Sequence, residues 1–379
     1  MVRKGAASLN ALRLQRQPRL VQALVFMALF VLIAWFDLVL GHDLSLFTLY
    51  LIPTLFSGWF LGIRWGYVSC IASAVVWVID DWGGKTFYHH ALIPYWNVAE
   101  RLIVLTVIVT IVNALKGALE DENEAERRSA QKELEIACEV QVRLLPSQTP
   151  DYPRLEFGFF YQPAREVGGD YYDFIPFDLE RMGLAVGDVS GKGLSSALLM
   201  ASLQGLVRTN LAVRQGEVAR FVIELNHSLY KLTASNRYAT LFFALVDVSN
   251  QTLQYVNAGQ NPPLLFRNGT SPAHCLGTPE RLEGGGPPIG IFAQSQYRSE
   301  HVLLHNGDVL VAYTDGVVEA LNPQQEEFGE ERLNDIVRSS LSLTAAEICK
   351  RIAARLQAFV AESPQWDDIT LVVMKVKPD

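Results

Sequence analysis

Four aspartates in turns are the residues of this chain best suited to chemistry. Asp170 follows a Gly-Gly pair in VGGDYYDF, and Asp188 lies in GDVSGKG. Asp315 begins the Asp-Gly turn of YTDGVVEA, and Asp367 lies in WDDITLVV. One such turn is usually only a turn, but each of these four lies at the tip of an apolar, strand-like run. A fold that joins those tips would gather oxygen ligands suited to Mg²⁺ or Mn²⁺, so we predict a metal site.

Composition and charge limit the classes of protein to which this chain can belong. The 379 residues are enough for two or three domains, and 50% of them are hydrophobic while only 19% are charged. That balance is apolar for a soluble protein and indicates a membrane portion. The net charge of −8 argues against a general nucleic-acid-binding protein. The four cysteines have no metal-ligand spacing, and nothing in their number demands an oxidising compartment.

Residues 21–115 are predicted to form an all-α membrane domain, a four-span sensor module that follows a basic tail of residues 1–20. The predicted spans are 21–40, 44–63, 65–79 and 98–115. The basic tail predicts a cytoplasmic N-terminus, so four spans return the chain to the cytoplasm after residue 115. The predicted location is therefore the inner membrane, with the catalytic domain in the cytoplasm. A cleaved signal peptide is disfavoured, because further apolar runs follow directly. The pair His89-His90 is interpreted as a polar outer loop, since two adjacent histidines make an incomplete metal site.

Residues 116–150 are predicted to form a signalling helix that continues the fourth span. The segment is rich in Glu, Ala, Lys and Arg and has no proline before Pro146. An imperfect heptad seam runs through Ala130, Leu134, Ala137, Gln141 and Leu144. The seam is equally compatible with a two-chain coiled coil, and hence a homodimer, and with packing on the chain's own catalytic domain.

Residues 151–379 are predicted to form an α+β domain with largely antiparallel sheets. Strand-like runs cover 155–161, 183–186, 240–248, 253–257, 264–267, 301–304, 309–313 and 369–376. Helical periodicity covers 194–212, 217–233, 330–339 and 345–361. Strands do not alternate with helices as a doubly wound nucleotide-binding fold requires.

Six motifs make a family resemblance specific. VGGDYYDF, GDVSGKG, NAGQNPPLL, GPPIGIF, YTDGVVEA and WDDITLVV stand in an order that resembles the SpoIIE-like branch of the PPM metal-dependent protein serine/threonine phosphatases. The resemblance covers residues 133–376. It implies a PPM-type two-sheet antiparallel β-sandwich flanked by helices, with two Mn²⁺ or Mg²⁺ ions bound at one end.

The resemblance also implies a role for each acid. Asp188 would bridge both ions, and Asp170 and the carbonyl of Val189 would hold one of them. Asp315 and Asp367 would hold the other. These ions would activate a water for attack on a phosphomonoester, so no serine or cysteine nucleophile is required.

Several neighbouring residues have competing interpretations. Asp368 is the alternative to Asp367 as a ligand. Lys192 and Arg165 are candidates for contacting the substrate phosphate, and the alternative for each is an ordinary surface position.

Three further polar residues are interpreted as structural. Asp173 is expected to support the site rather than bind metal, and Ser190 is expected to be a loop residue. Gln260 stands where the branch commonly has histidine, which affects packing or substrate contacts more than activity.

The resulting functional hypothesis is a membrane-bound, metal-dependent phosphoserine/phosphothreonine phosphatase in bacterial signalling. By resemblance, its partner would be a small phosphorylated regulator such as an anti-sigma-factor antagonist. The alternative is a non-catalytic membrane receptor whose phosphatase-like domain only binds a regulatory partner. The presence of all four acids counts against that alternative.

Overall fold

Two compact units make up the protein, Met1–Ala130 and Gln131–Asp379, and each has its own hydrophobic core. The computed structural model describes residues 17–40, 47–83, 92–211, 217–233, 237–268 and 278–377. His89 and His90 lie outside the described residues, as do residues 1–16 of the basic tail. The division between the units falls inside the predicted signalling helix.

The first unit is helical. Its helices are α1 (Arg19–Leu40), α2 (Leu51–Phe56), α3 (Ile63–Gly83) and α4 (Ile93–Leu144), with a 3₁₀ turn at Phe47–Tyr50 and a π-helical turn at Ser57–Leu61. By length and composition, α1 and α4 are able to cross a membrane, whereas the apolar stretches Phe47–Leu61 and Ile63–Ile79 are shorter. Gly62, with φ of 102°, separates these two stretches.

Apolar side chains cover the outside of the first unit. Only 22% of the most apolar part of α1 and 11% of that of α4 is buried, so neither resembles the core helix of a soluble protein. Polar groups lie inside instead: the buried Tyr50 hydroxyl donates a hydrogen bond of 2.9 Å to Asp37. Helices in contact with lipid show this distribution, because hydrocarbon does not hydrate polar groups.

Helix α4 runs without a break for 52 residues, as predicted for a signalling helix continuous with an apolar segment. Its side chains at 118–133 are exposed, whereas Gln141 is buried against the second unit's own residues. The end of the predicted heptad seam therefore packs on the chain's own domain. Ile136 and Val140, on another face of the helix, remain 63% and 55% exposed.

Two β-sheets form the centre of the second unit. The first sheet has the order β1 (Leu155–Gln162), β11 (Ile369–Val376), β10 (Val309–Tyr313), β6 (Leu264–Phe266) and β7 (Glu280–Arg281). The second has the order β2 (Tyr171–Pro176), β3 (Arg181–Val189), β4 (Ala239–Asp247), β5 (Thr252–Ala258) and β8 (Gly285–Gly286), and β9 (Glu300–Leu303) also pairs with β5. Every pairing except that of β5 with β8 is antiparallel. The predicted α+β class with antiparallel sheets is confirmed.

Helices cover the outer faces of both sheets. Helices α5 (Leu194–Leu211) and α6 (Val218–Leu232) share a core with the second sheet, through residues such as Leu203 and Phe221. Helices α8 (Gly329–Arg338) and α9 (Ala345–Val360) share a core with the first sheet. The result is a four-layered sandwich, because each sheet buries one face on the other sheet and one on helices.

Several local elements differ from the sequence-based expectation, including the two-residue strands β7 and β8, for which no strand was predicted. Residues 171–176 form strand β2, although no strand was predicted there; five of its six residues are buried, so it lacks the alternation that marks a half-exposed strand. Asp315 begins the short helix α7 (Asp315–Val318), where only a turn was predicted.

Gly316 is required by a close approach between β10 and β11. A Cβ atom there would lie 2.0 Å from the carbonyl oxygen of Asp368, a backbone atom that has little freedom to move. We expect Gly316→Ala to destabilise the 131–379 fragment by about 1–3 kcal/mol. Gly205→Ala is the control, because that exposed helical position has no atom within 4 Å of the new methyl group.

Urea denaturation followed by circular dichroism measures both effects. Gly205→Ala should leave the midpoint unchanged or raise it, since alanine favours helix by about 1 kcal/mol over glycine. Equal midpoints for Gly316→Ala and the unmodified fragment would show that β11 can shift to accept the methyl group.

Candidate metal centre

Asp170 and Asp188 meet where β2 and β3 pair. The register places Tyr171 opposite Gly187, so the residue before β2 and the second-last residue of β3 are neighbours. The two carboxyl groups interact electrostatically, because the charge of Asp188 contributes to raising the pKa of Asp170. Asp170 is 1% exposed. The two acids are thus held together by ordinary antiparallel pairing.

Asp170 also joins the two sheets. Its Oδ2 atom accepts hydrogen bonds from the hydroxyl groups of Thr314, at 2.8 Å, and Thr370, at 2.5 Å. Thr314 directly follows β10, and Thr370 is the second residue of β11. Hydrogen bonds between Thr314 and Thr370 complete this connection. Asp170, which belongs to the second sheet, is therefore held by hydrogen bonds from residues of the first sheet.

Asp315 and Asp367 come from the first sheet's side of the same site. Asp315 follows Thr314 at the end of β10, and Asp367 lies two residues before β11. Negative charge from both contributes to raising the pKa of Asp188, which shows that all three carboxylates are close. The structure therefore places the four predicted acids at one end of the two sheets.

Gly169 lets a carbonyl oxygen approach the acids. A Cβ atom on Gly169 would lie 2.9 Å from the carbonyl oxygen of Val189 and 3.4 Å from Oδ1 of Asp188. Any larger residue would collide with that carbonyl. Gly169 is thus the reason that the Val189 carbonyl and the Asp188 carboxylate can share one small space.

Burial and mutual repulsion perturb these acids. Burial, and then the charges of Asp315, Asp367 and Asp368, raise the pKa of Asp188 to about 7. Burial, followed by the charge of Asp188, raises the pKa of Asp170 well above its usual range. The pKa of Asp315 is raised by burial and then by Asp367. Such a cluster disfavours its own ionised form and would gain from a bound cation.

The acidic region extends to Glu319. Burial, and then the negative charges of Asp315, Glu327 and Asp367, raise the pKa of the Glu319 carboxyl. Sequence reasoning identified neither Glu319 nor Glu327 as a neighbour of the four acids, although both follow Asp315 within twelve residues.

A lysine occupies one side of the cluster. The Nζ atom of Lys192 lies 2.9 Å from Oδ2 of Asp367 and donates a hydrogen bond to the carbonyl of Trp366. Among the described residues, no three acidic, histidine or cysteine side chains already surround a common ion position. The oxygen-only donor set nonetheless fits Mn²⁺ or Mg²⁺, and binding would separate Lys192 from Asp367.

Asp367 and Asp368 have different surroundings. Asp368 is buried, and its two carboxylate oxygens accept hydrogen bonds from the backbone N–H groups of Ala164, at 2.7 Å, and Gly169, at 2.6 Å. The side chain of Asp367 is 40% exposed; its Oδ2 atom pairs with Lys192 and its Oδ1 atom accepts a hydrogen bond from the N–H of Asp368. Asp368 therefore supports the Gly168-Gly169 turn, while Asp367 is the more exposed of the two acids.

The loop after β3 brings cations to the same end of the domain. A guanidinium nitrogen of Arg165 lies 3.8 Å from the Cβ position of Gly193, next to Lys192. Arg237 holds this loop by donating hydrogen bonds to the carbonyl of Ser190, at 2.8 Å, and to the hydroxyl of Ser195. The role of Arg237 had no signal in the sequence, since the contact spans more than forty residues.

The three polar residues interpreted as structural are each engaged within the domain. Asp173 is fully buried and accepts two hydrogen bonds, of 2.8 and 2.9 Å, from the guanidinium of Arg208. The hydroxyl of Ser190 accepts a hydrogen bond from the N–H of Tyr238. Gln260 donates to the carbonyl of Tyr313 at 2.9 Å and so joins the sheets beneath the acids. Gln260 is therefore a structural residue that connects the two sheets.

Gln141 supports the site in a way that sequence reasoning missed. Its amide nitrogen donates to the carbonyl of Gly168 at 2.6 Å, and its amide oxygen accepts from the N–H of Gly168 at 3.0 Å. Gly168 lies two residues before Asp170. The last turns of α4 are therefore joined directly to the turn that carries a predicted ligand.

Comparison with known proteins assigns the family. The family described as Stage II sporulation protein E matches residues 178–377, more than half of the chain, and this region includes Asp188, Asp315 and Asp367. The chain belongs to the SpoIIE family. Asp170 lies just before the matched region.

Individual relatives agree with this assignment. The chain is 29% identical over 272 residues to Protein IcfG of Synechocystis, and 27% identical over 258 residues to the phosphoserine phosphatase RsbU of Bacillus subtilis. The aligned regions cover 64% and 66% of this chain, 41% of IcfG and 72% of RsbU. The chain thus spans less than half the length of IcfG.

A solved structure shows the same fold. The SiaA-PP2C domain of Pseudomonas aeruginosa superposes with a TM-score of 0.58 at 21% identity, over 67% of this chain and 99% of that domain. The second unit of this SpoIIE-family chain therefore has the PP2C fold, as the resemblance implied.

The raised pKa of Asp188 predicts a pH-dependent stability in the absence of metal. A carboxyl that binds its proton more tightly in the folded state loses stabilising free energy as the pH rises from about 4 to about 7. The Asp188→Asn substitution removes the titrating carboxyl group, and with it this loss of stabilising free energy. With EDTA present, we expect the Asp188→Asn fragment to melt several degrees above the unmodified fragment at pH 8, and we expect this difference to be less than half as large at pH 5.

Asp151→Asn is the matched control, because Asp151 is exposed on the same unit and lies outside the acidic cluster. Its melting temperature should follow that of the unmodified fragment at both pH values. If Asp188→Asn melts at or below the unmodified fragment at pH 8, the carboxylates do not repel one another as described.

Proposed function

We propose that this protein is a metal-dependent phosphatase that hydrolyses phosphoserine or phosphothreonine in a regulatory protein. The observation that carries the proposal is the convergence of Asp170, Asp188, Asp315 and Asp367 at one end of a PP2C fold, with the Val189 carbonyl beside them. Such a set of oxygen donors suits two hard divalent cations.

Each acid has a role in this proposal. Asp188 would hold both ions, Asp170 and the Val189 carbonyl one of them, and Asp315 and Asp367 the other. The contacts of Asp368 with two backbone N–H groups favour Asp367 as the ligand. When bound, Mn²⁺ or Mg²⁺ ions activate water and neutralise charge on a phosphomonoester.

The chain's own residues would position the substrate. Lys192 and Arg165 lie at the edge of the acids and would donate to the phosphate oxygens, which orients the phosphorus atom and offsets its charge. Lys192 now pairs with Asp367, and metal binding at Asp367 would free the lysine ammonium group for the phosphate. Asp170, anchored by two threonine hydroxyls, would keep its position through the reaction.

The proposed substrate class follows from similarity to a phosphoserine phosphatase. We propose a small phosphorylated regulator, such as an anti-sigma-factor antagonist, as the partner. The exposed Ile136 and Val140 on α4 support a homodimer formed through this helix, because two apolar side chains one turn apart provide a coiled-coil contact.

A membrane location is part of the proposal. The two long apolar helices, the two shorter ones and their outward apolar surface support four spans in the inner membrane, with the PP2C-fold domain in the cytoplasm. A short apolar helix can still cross if flanking residues extend it or the bilayer thins.

A phosphatase assay of the 131–379 fragment with Mn²⁺ tests the catalytic proposal. We expect hydrolysis of p-nitrophenyl phosphate and of a phosphoserine protein, and a loss of at least about 100-fold for Asp188→Ala and for Asp367→Asn. Undiminished Mn²⁺-dependent turnover by Asp188→Ala would overturn the site assignment. A fragment that binds Mn²⁺ yet hydrolyses nothing, even when dimerised, would support the alternative of a non-catalytic receptor.

Asp368→Asn is the matched control for Asp367→Asn. Replacing one Asp368 oxygen by an NH₂ group sets a donor against a backbone N–H, so this variant should lose about 1–3 kcal/mol of stability. Asp367→Asn, at a partly exposed position, should keep its unfolding midpoint within error. The reverse pattern would make Asp368 the ligand.

Fusions to a reporter that is active only outside the cytoplasm, such as bacterial alkaline phosphatase, test the four-span proposal. We expect activity for fusions after His42 and His90, and none for fusions after Arg64 and Lys116. Activity after Lys116 would contradict the proposal, because the phosphatase domain would then lie outside the cytoplasm.

A further inference from the structure

A cavity of about 490 Å³ opens beside the metal centre. We name this cavity the side cleft. Its lining includes Lys192, Gly316 and Asp367. Residues of β1 and of the end of α9 form two of its walls. The cleft and the acidic cluster therefore share a boundary. A molecule bound at the acids can extend into the cleft without leaving the protein surface.

The side cleft has an apolar floor and an aromatic rim. Phe160, Leu356 and Val360 contribute to its lining. Trp366, which also lines the cleft, is 64% exposed, although tryptophan is highly buried on average. The backbone of Trp366 is held by the hydrogen bond from Lys192, so the indole is presented from a fixed point. Exposed tryptophans in such positions are frequent anchors in protein recognition.

Two carboxylates give the side cleft a negative charge. Glu319 and Glu327 both line it, and neither forms an ion pair with any residue in the part of the chain that the structure describes. Lys192 lines the cleft at its boundary with the acids and is paired with Asp367, and Arg165 lies against the loop at Gly193. The cleft therefore has one lysine at its boundary with the acids and two carboxylates without an ion pair among the described residues.

We propose that the side cleft binds the polypeptide segment next to the phosphorylated residue, and that it selects a lysine or arginine beside an apolar side chain. This inference rests on the proposed phosphatase function. An extended chain advances about 3.3 Å per residue, so side chains within three positions of a phosphoserine held at the acids reach the cleft. The basic side chain would pair with Glu319 and Glu327, and the apolar one would pack on the floor and Trp366.

Charge complementarity favours this occupant over an acidic segment. A negatively charged segment would place like charges beside Glu319 and Glu327, which is unfavourable in a partly enclosed cleft. A phosphopeptide with basic flanking residues fits both kinds of group, since its phosphate meets Lys192 and its cation meets the two glutamates.

Paired phosphoserine peptides test the selection. The two peptides differ only at the positions within three residues of the phosphoserine, where one carries Lys and the other carries Glu. The control substrate is p-nitrophenyl phosphate, which is too small to reach the cleft. We expect kcat/KM of the 131–379 fragment to be about tenfold higher for the Lys peptide. Glu327→Lys should reduce this ratio to near one and leave p-nitrophenyl phosphate hydrolysis unchanged.

Glu331→Lys is the matched control, because it makes the same charge change at an exposed position of α8 outside the cleft. It should preserve the tenfold ratio. An unmodified fragment without preference, or a Glu327→Lys variant that keeps the preference, would overturn the inference while leaving the phosphatase proposal intact. Absence of p-nitrophenyl phosphate hydrolysis by the unmodified fragment would overturn both.

Filling the side cleft provides an independent test. The exposed Gln357 of α9 lines the cleft, whereas the exposed Ala354 on the same helix does not. We expect Gln357→Trp to raise KM for the Lys peptide about tenfold with little change in kcat, and Ala354→Trp to change neither. Equal KM values for the two variants, with equal melting temperatures, would show that the peptide does not enter the cleft.

Discussion

The buried carboxylate of Asp170 is the point on which the site depends. It belongs to the second sheet, but its hydrogen bonds come from Thr314 and Thr370 of the first. A buried carboxylate without such partners would be strongly destabilising, so these contacts hold the two sheets at one relative position. Thr314 directly precedes Asp315, and Thr370 lies three residues after Asp367. One hydrogen-bonded junction thus connects the segments that carry Asp170, Asp315 and Asp367, and the pairing of β2 with β3 adds Asp188.

Like charges lie close together at the same junction, and a cation bound there would relieve their repulsion. Asp188 lies among carboxylates, and its pKa of about 7 reflects burial and their charges. A well-packed structural site would avoid this arrangement, since like charges at short range destabilise the folded state. Lys192 offsets part of the charge at Asp367. The cluster is therefore better explained by ligand binding than by stability, as is common at functional sites.

Much of the site was accessible from the sequence because its acids stand at the tips of apolar strands. Asp188 and Asp315 could be placed by this pattern, and the antiparallel α+β class followed from the run of strands. Strand β2 escaped prediction, because burial on both faces removes the alternation that reveals a strand. Gln141 was assigned to a helix seam; its contact with Gly168 joins residues 27 positions apart, which no local pattern reports.

The sequence by itself predicted a divalent-cation ligand, and it determined the antiparallel α+β class and the apolar character of the first unit, since these depend on residue chemistry and local periodicity. Only the tertiary structure gave Asp367 and Asp368 different surroundings, because adjacent acids have the same chemistry and differ only in the groups that they meet. It also revealed the side cleft, whose lining comes from segments that are distant in the chain. Such contacts depend on long-range packing, because they join residues that are far apart in the sequence and that no local sequence pattern connects.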